Sequence, residues 1–273
     1  MSHLAPLGEL STFEVGFFEQ GGASHRVYRK GSGPAVVVIT EMPGITPMVL
    51  GFADRVVNLG CSVVLPDLFG TPGRDPSMGY IAKSIASGCI SKDFSTLALG
   101  KTSPIADWLR ALARAEHERC GGPGVGTVGM CFSGGFALAM ATDPAVVAPV
   151  LSQPGLPFPV SKKHRGSIDV SPEDLDLISH RCAAEGLSVL GLRFDGDPGV
   201  PADRFAFLSQ RLGECFTAVE LDQADGNPVA LESPEVVKHH SVLTASLIDE
   251  PGEPTRKALD QVLDLFRLRL LES

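Results

Sequence analysis

The chain has 273 residues, 44% of them hydrophobic, with 23 basic against 32 acidic side chains and a formal charge of −9. That length can bury a substantial core. No basic block is present to hold a nucleic acid, and no apolar run approaches the roughly 18 residues of a membrane span. Residues 1–12 lack the basic-then-apolar order of a secretory leader, which predicts a cytoplasmic protein. Six cysteines without a C-x-x-C spacing are too sparse for a disulfide scaffold and read as reduced, mostly buried thiols.

In chain order, residues 14–18 and 25–30 read as an opening pair of strands. Residues 35–40 (AVVVIT) are an almost unbroken β-branched run, the pattern of a strand covered on both faces. Helical spacing follows over 47–59, with Gly60 at the stop position, and 62–66 (SVVLP) is the next buried strand. Residues 104–117 carry an apolar stripe of Ile105, Trp108, Leu109 and Leu112, with Ser103 as N-cap and Pro104 at the first helical position. Strand 125–130 leads into helix 132–142. Strands 146–152, 188–194 and 216–221 then alternate with helices 172–185, 202–212 and 254–271. This alternation predicts one α/β domain over residues 1–273, a mostly parallel central sheet with helices on both faces. Residues 69–83, 154–170 and 223–237 read as loops, and long loops in such domains often carry function.

Three motifs lack the context that their chemistry needs. Gly124-Val-Gly126-Thr-Val-Gly129 matches G-x-G-x-x-G, but its first two glycines precede most of the strand instead of opening a helix. Gly100-Lys101-Thr102 resembles the end of a phosphate loop, yet Ser95 stands where the first glycine is required. His239 and His240 are adjacent and have no cysteine or histidine at a zinc spacing, so no metal site is expected.

The segment with the strongest chemistry is Gly129-Met130-Cys131-Phe132-Ser133-Gly134-Gly135. A buried strand runs directly into a helix with Cys131 at the tip, the G-x-nucleophile-x-small pattern of a strained elbow. Small residues are needed two positions either side, because the turn crowds the backbone there. The following helix end favours a thiolate and an oxyanion. The bland alternative is a buried structural thiol, and the competing nucleophile is Ser133, for which Cys131 is a poor fit to the required glycine. A cysteine nucleophile needs a base and an orienting carboxylate, arranged in this fold in the order nucleophile, acid, histidine. His164 and His180 read as surface residues, while His239 and His240 lie where the base belongs. Asp195, Asp197 and Asp203 all follow strand 188–194.

These segments together resemble the dienelactone hydrolases, a branch of the α/β-hydrolase fold. The cysteine elbow is similar to theirs. Asp197-Pro-Gly-Val200-Pro201 resembles their D-x-x-V-P segment, and His240-Ser241 their histidine–serine pair. Thr40-Glu41-Met42-Pro43-Gly44 resembles their Q-E-x-x-G loop, and Pro66-Asp67-Leu68-Phe69 their P-D-L-aromatic run. The resemblance implies a cysteine-dependent hydrolase of small-molecule esters or lactones, with Cys131 as nucleophile, His240 as base and Asp197 as its orienting acid. Glu41 would hydrogen-bond the resting thiol and regulate it. The backbone N–H groups of Met42 and Phe132 would form the oxyanion hole, and no metal or organic cofactor is implied. The family's substrate-carboxylate arginine, four residues after the base, is replaced by Thr244. Lys92 and Arg74 are the loose candidates for a substitute cation. The rival from another class is a non-catalytic small-molecule sensor or interaction protein on the same scaffold.

Overall fold

The β-branched run lies at the centre of an eight-stranded sheet in the computed structural model, which describes residues 7–231 and 238–272. The strands are β1 (Glu14–Gln20), β2 (Ala23–Lys30), β3 (Ala35–Ile39), β4 (Ser62–Pro66), β5 (Val125–Met130), β6 (Val146–Ser152), β7 (Val189–Phe194) and β8 (Phe216–Leu221). Their order is β1-β2-β4-β3-β5-β6-β7-β8, with the β1–β2 and β2–β4 pairs antiparallel and the remaining pairs parallel. The helices are α1 (Pro47–Leu59), α2 (Met78–Ile90), α3 (Ile105–Cys120), α4 (Gly134–Met140), α5 (Lys162–Arg165), α6 (Pro172–Glu185), α7 (Ala202–Leu212) and α8 (Pro254–Phe266).

Alternation along β3 divides the core in two. Ala35, Val37 and Ile39 share one cluster with Leu109 of α3, Phe136 of α4, Ile178 of α6 and Leu208 of α7. Val36 and Val38 face the other way, with Leu50 and Val56 of α1 and Leu259 and Phe266 of α8. Every residue of β3, β4 and β7 is buried, as strands sandwiched between helix layers require. Gly126 of β5 is a point of close approach, since a Cβ there would lie 2.9 Å from the Phe266 ring of α8. Helix α1 begins as its sequence predicts. Thr46 Oγ1 accepts from the Val49 N–H at 3.3 Å, Pro47 opens the first turn, and Gly60 ends the helix in the left-handed region at φ 103°. Because β3, β5, β6 and β7 are parallel neighbours, their C-terminal ends deliver Glu41, Cys131, Gln153 and Asp197 to one edge of the sheet.

The structure departs from the sequence expectations in several places, among them the short helix α5 inside the expected loop 154–170. Residues 78–83, expected as loop, begin α2. Its buried positions are Tyr80, Ser84 and Gly88, so the inward stripe has helical spacing but little hydrophobicity. Ser103 does not cap α3 with its side chain, because its hydroxyl accepts the Ser95 N–H at 2.9 Å and ties down the preceding loop. The expected helix over 254–271 keeps its extent but widens into a π turn over Arg267–Leu271. Finally, the expectation of six free thiols is corrected. Cys182 of α6 and Cys215, in the turn after α7, form a disulfide across Cα atoms 5.8 Å apart. Their 33-residue separation matches no motif, and only the packing of α6 against α7 brings them into bridging range. The expected loop 223–237 contains two 3₁₀ turns, and its residues 232–237 lie outside the described residues.

Candidate active site

Strand β5 ends at Met130, and the chain turns through Cys131 with φ 55°, a conformation that non-glycine residues rarely hold without a reason. The crowding inferred from the sequence is present. A Cβ on Gly129 would lie 2.2 Å from the Ser133 carbonyl oxygen, and one on Gly134 would lie 2.5 Å from the Pro154 Cα. Ser133 is fully buried. Its hydroxyl accepts the Met130 N–H at 2.9 Å and faces the Ile39 carbonyl oxygen at 2.8 Å, tying the turn to the end of β3. The Gly155 N–H donates to the Cys131 carbonyl at 2.7 Å, holding the turn from the side of β6.

Asp197 and His240, 43 residues apart in sequence, meet beside Cys131. His240 Nδ1 is 2.6 Å from Asp197 Oδ2, and Asp197 Oδ1 accepts the Gly199 N–H at 2.8 Å. Burial disfavours the imidazolium, but the Cys131 sulfur and the Asp197 carboxylate outweigh it and hold the His240 pKa well above its ordinary value. The neighbouring candidates are elsewhere. Asp195 is largely exposed and pairs with Arg193 at 3.2 Å. Asp203 pairs with Arg165 at 3.1 Å. His239 is buried under Phe194, its Nδ1 3.1 Å from Ser246 Oγ, and burial lowers its pKa.

Glu41 lies next to this group, and its carboxylate is already occupied. Ser241 Oγ donates to Oε2 at 2.6 Å, Gln153 Nε2 donates to Oε2 at 3.2 Å, and Thr244 Oγ1 donates to Oε1. No hydrogen bond joins Glu41 to Cys131 among the described residues, unlike the arrangement that the resemblance implies. Thr244, conspicuous as a missing arginine, therefore serves as a hydroxyl donor to this acid. Gln153 was not visible in the sequence. It is fully buried, sits at φ 38°, and its Oε1 accepts the Val242 N–H at 3.3 Å. Glu41, Met42, Met48, Ile81, Lys238 and His240 are among the residues lining a cavity of about 210 Å³. Arg74 lines a separate cavity, and the exposed Lys92 lines neither. Among the described residues, no group of three or more histidine, cysteine or acidic side chains could hold a metal, and no helix is long and apolar enough to cross a membrane.

Two buried charges brace the site from below. Arg204 of α7 is fully buried and spends its guanidinium on backbone carbonyls, including those of Pro154 (2.6 Å), Pro157 (2.5 Å) and Ser167 (2.7 Å). It thereby fixes the loop that meets the Cys131 turn. Asp169 is also fully buried, packed against Gly135 of α4 so tightly that a Cβ there would lie 1.7 Å from Oδ1. Burial raises the Asp169 pKa to about 7, against the opposing pull of its own backbone amide, Arg204 and Ser103. A folded-state value above the unfolded one means that the native state holds the proton more tightly. Stability is therefore greatest below pH 4 as far as this group is concerned, and its contribution is lost as pH rises towards 7. Asp169→Asn is expected to raise stability at pH 8 relative to pH 5, by at most about 3 kcal/mol, the part of the shift that lies above pH 5. Urea unfolding of both proteins at the two pH values checks this.

Comparison with known proteins matches residues 24–171 to the dienelactone hydrolase family. This chain belongs to that family. Solved structures share the fold at low identity. A dienelactone hydrolase-like promiscuous phosphotriesterase from metagenomic libraries is 18% identical with a TM-score of 0.59, covering 95% of this chain and 98% of that one. A dienelactone hydrolase from Anabaena variabilis is 14% identical with a TM-score of 0.55, covering 94% and 98%. A cold-adapted esterase from an Arctic intertidal metagenomic library is 16% identical with a TM-score of 0.57, covering 94% and 93%. Comparison with curated proteins gives no match.

Proposed function

We propose that the protein hydrolyses carboxylic esters or lactones through an acyl-enzyme on Cys131. The observation that carries this reading is the strained Cys131 turn set against a histidine whose far nitrogen is 2.6 Å from a buried carboxylate. His240 takes the thiol proton, and its raised proton affinity favours the resulting thiolate–imidazolium pair. The Cys131 sulfur attacks the acyl carbon while the carbonyl π pair moves onto oxygen. The backbone N–H groups of Met42 and Phe132 receive that oxyanion, each such donor being worth about 10²–10³ in rate. Collapse expels the alkoxide, which takes the proton from His240. Water then attacks the thioester with His240 as base, releasing the acid and restoring the thiol.

Glu41 is a positioning residue in this scheme. It joins Ser241 and Thr244 of the loop after the base to Gln153 at the end of β6, and so sets where His240 stands.

The substrates fitting this cavity are neutral. Its lining includes Met42, Pro43, Met48, Ile81 and Ala230, its two charged residues Glu41 and Lys238 are of opposite sign, and Thr244 replaces the arginine that the resemblance implies. We expect the methyl ester of a carboxylate-bearing lactone to be turned over with a kcat/KM at least equal to that of the free acid. A screen of activated esters, thioesters and lactones with the purified protein, followed by that pairwise comparison, tests this. A free-acid preference above about tenfold, one charge-assisted contact, would contradict the neutral-substrate reading. Its loss on Lys238→Ala, Arg74→Ala or Lys92→Ala would identify the clamp.

A further inference from the structure

Besides the catalytic cavity of about 210 Å³ there is a second, larger one of about 390 Å³. Arg74, Tyr80, Lys83, Phe69, Phe94 and Asp93 line it, and none of the three members of the Cys131–Asp197–His240 group does. A wall of packed side chains separates the two. The Phe132 ring meets Phe69 and Phe94 at centroid distances of 5.5 and 5.3 Å, and Met42 and Phe132 close against Gly88, where a Cβ would meet them at 2.9 and 3.2 Å.

The charges in this cavity are unusual for the molecule. The chain is acidic overall, and its other arginines make ion pairs or hydrogen bonds to carbonyls. Arg74 makes neither with any described residue. Its guanidinium instead lies over the Tyr80 ring, 4.2 Å from the centroid. Tyr80 is itself held, its hydroxyl accepting the Thr71 N–H. Stacking of this kind fixes a guanidinium plane without using its hydrogen-bond donors. Lys83, one turn along α2 from Tyr80, also lacks an acidic partner among the described residues. The opposing charge is Asp93, whose carboxylate accepts the Ser91 hydroxyl at 3.0 Å. Two unpartnered cations, one of them pre-oriented, thus face a wall of phenylalanine rings.

We infer that this cavity is a second ligand site, distinct from the catalytic one, for a small aromatic carboxylate whose anionic end meets Arg74 and Lys83 and whose ring packs on Phe69 and Phe94. A planar fork matches a carboxylate bidentately, and the ring edges accept a flat apolar body. The test is isothermal titration calorimetry of the full chain at pH 7 with 2-naphthoate and its neutral counterpart 2-naphthamide. The expected result is one naphthoate per chain, bound at least about tenfold more tightly than the amide, the margin of a charge-assisted contact. Arg74→Gln and Lys83→Gln should each weaken naphthoate by a similar factor. Ser87→Phe, which fills the cavity and leaves both charges, should abolish binding. Lys238→Gln, in the catalytic cavity, should leave it unchanged. Melting curves of each variant establish that it is folded. Equal affinity for acid and amide, no binding at millimolar concentration, or loss on Lys238→Gln but not on Arg74→Gln would each overturn the assignment.

Discussion

Cys131→Ala is expected to abolish ester hydrolysis, by about 10⁴-fold or more, and to leave the fold intact. The side chain is half-buried, and alanine meets the same backbone strain at φ 55° as cysteine does, so the melting temperature should move little. Cys131→Ser is expected to keep a trace of activity, because a hydroxyl is far harder to ionise than a thiol. Steady-state hydrolysis of an activated ester, alongside thermal melting, checks all three proteins. Ser133→Ala is the informative companion. The Ser133 hydroxyl links Met130 to the end of β3, so its removal should lower the melting temperature and spare the chemistry. Normal turnover in Cys131→Ala with none in a folded Ser133→Ala would exchange the two roles.

His240→Ala should lower kcat by several orders of magnitude, whereas His239→Ala should act mainly on stability. The two adjacent rings have different surroundings. One reaches Cys131 and Asp197, and the other is packed between Phe194 and Gly226 with its Nδ1 on Ser246. Asp197→Asn tests the same unit from its far end. In the proposed scheme the carboxylate accepts from Nδ1 and so keeps the other ring nitrogen free to take the thiol proton. An amide in its place permits the opposite tautomer, at a loss of up to about 10⁴ in rate. Single-turnover rates for the three variants, each with a melting curve, check this. A large rate loss in folded His239→Ala with little in His240→Ala would shift the assignment by one residue.

What the sequence made legible was the part written in local patterns. The β-branched run of β3, the glycines bracketing Cys131 and the proline and glycine at the ends of α1 each impose a conformation within a few residues. Those elements accordingly lie where expected. Helix α2 escaped because its inward positions are Tyr80, Ser84 and Gly88, which give a hydrophobic count almost no signal. The surroundings of Glu41 escaped for a different reason. Its donors come from Gln153, Ser241 and Thr244, more than a hundred residues away: the pairing of β3 with β5 and of β5 with β6 brings up Gln153, and the segment after β8 brings Ser241 and Thr244. Thr244 shows the difference most clearly. As one position in a motif it registered as an absent arginine, while in the folded chain it is a hydroxyl on the Glu41 carboxylate. Arg204 and the Cys182–Cys215 bridge are likewise products of tertiary packing, with no spacing that announces them.

In the proposed reaction acyl transfer passes through the Cys131 sulfur. The most direct measurement is rapid acid quench of the protein during turnover of an activated ester, followed by mass spectrometry of the peptide containing residue 131. The expected result is one acyl group per chain, attached to Cys131 and absent from the exposed Cys89, appearing before steady-state turnover and accumulating further when deacylation is slowed. Turnover with the acyl group on another residue, or with the Cys131 thiol unmodified and free to be alkylated throughout, would contradict it.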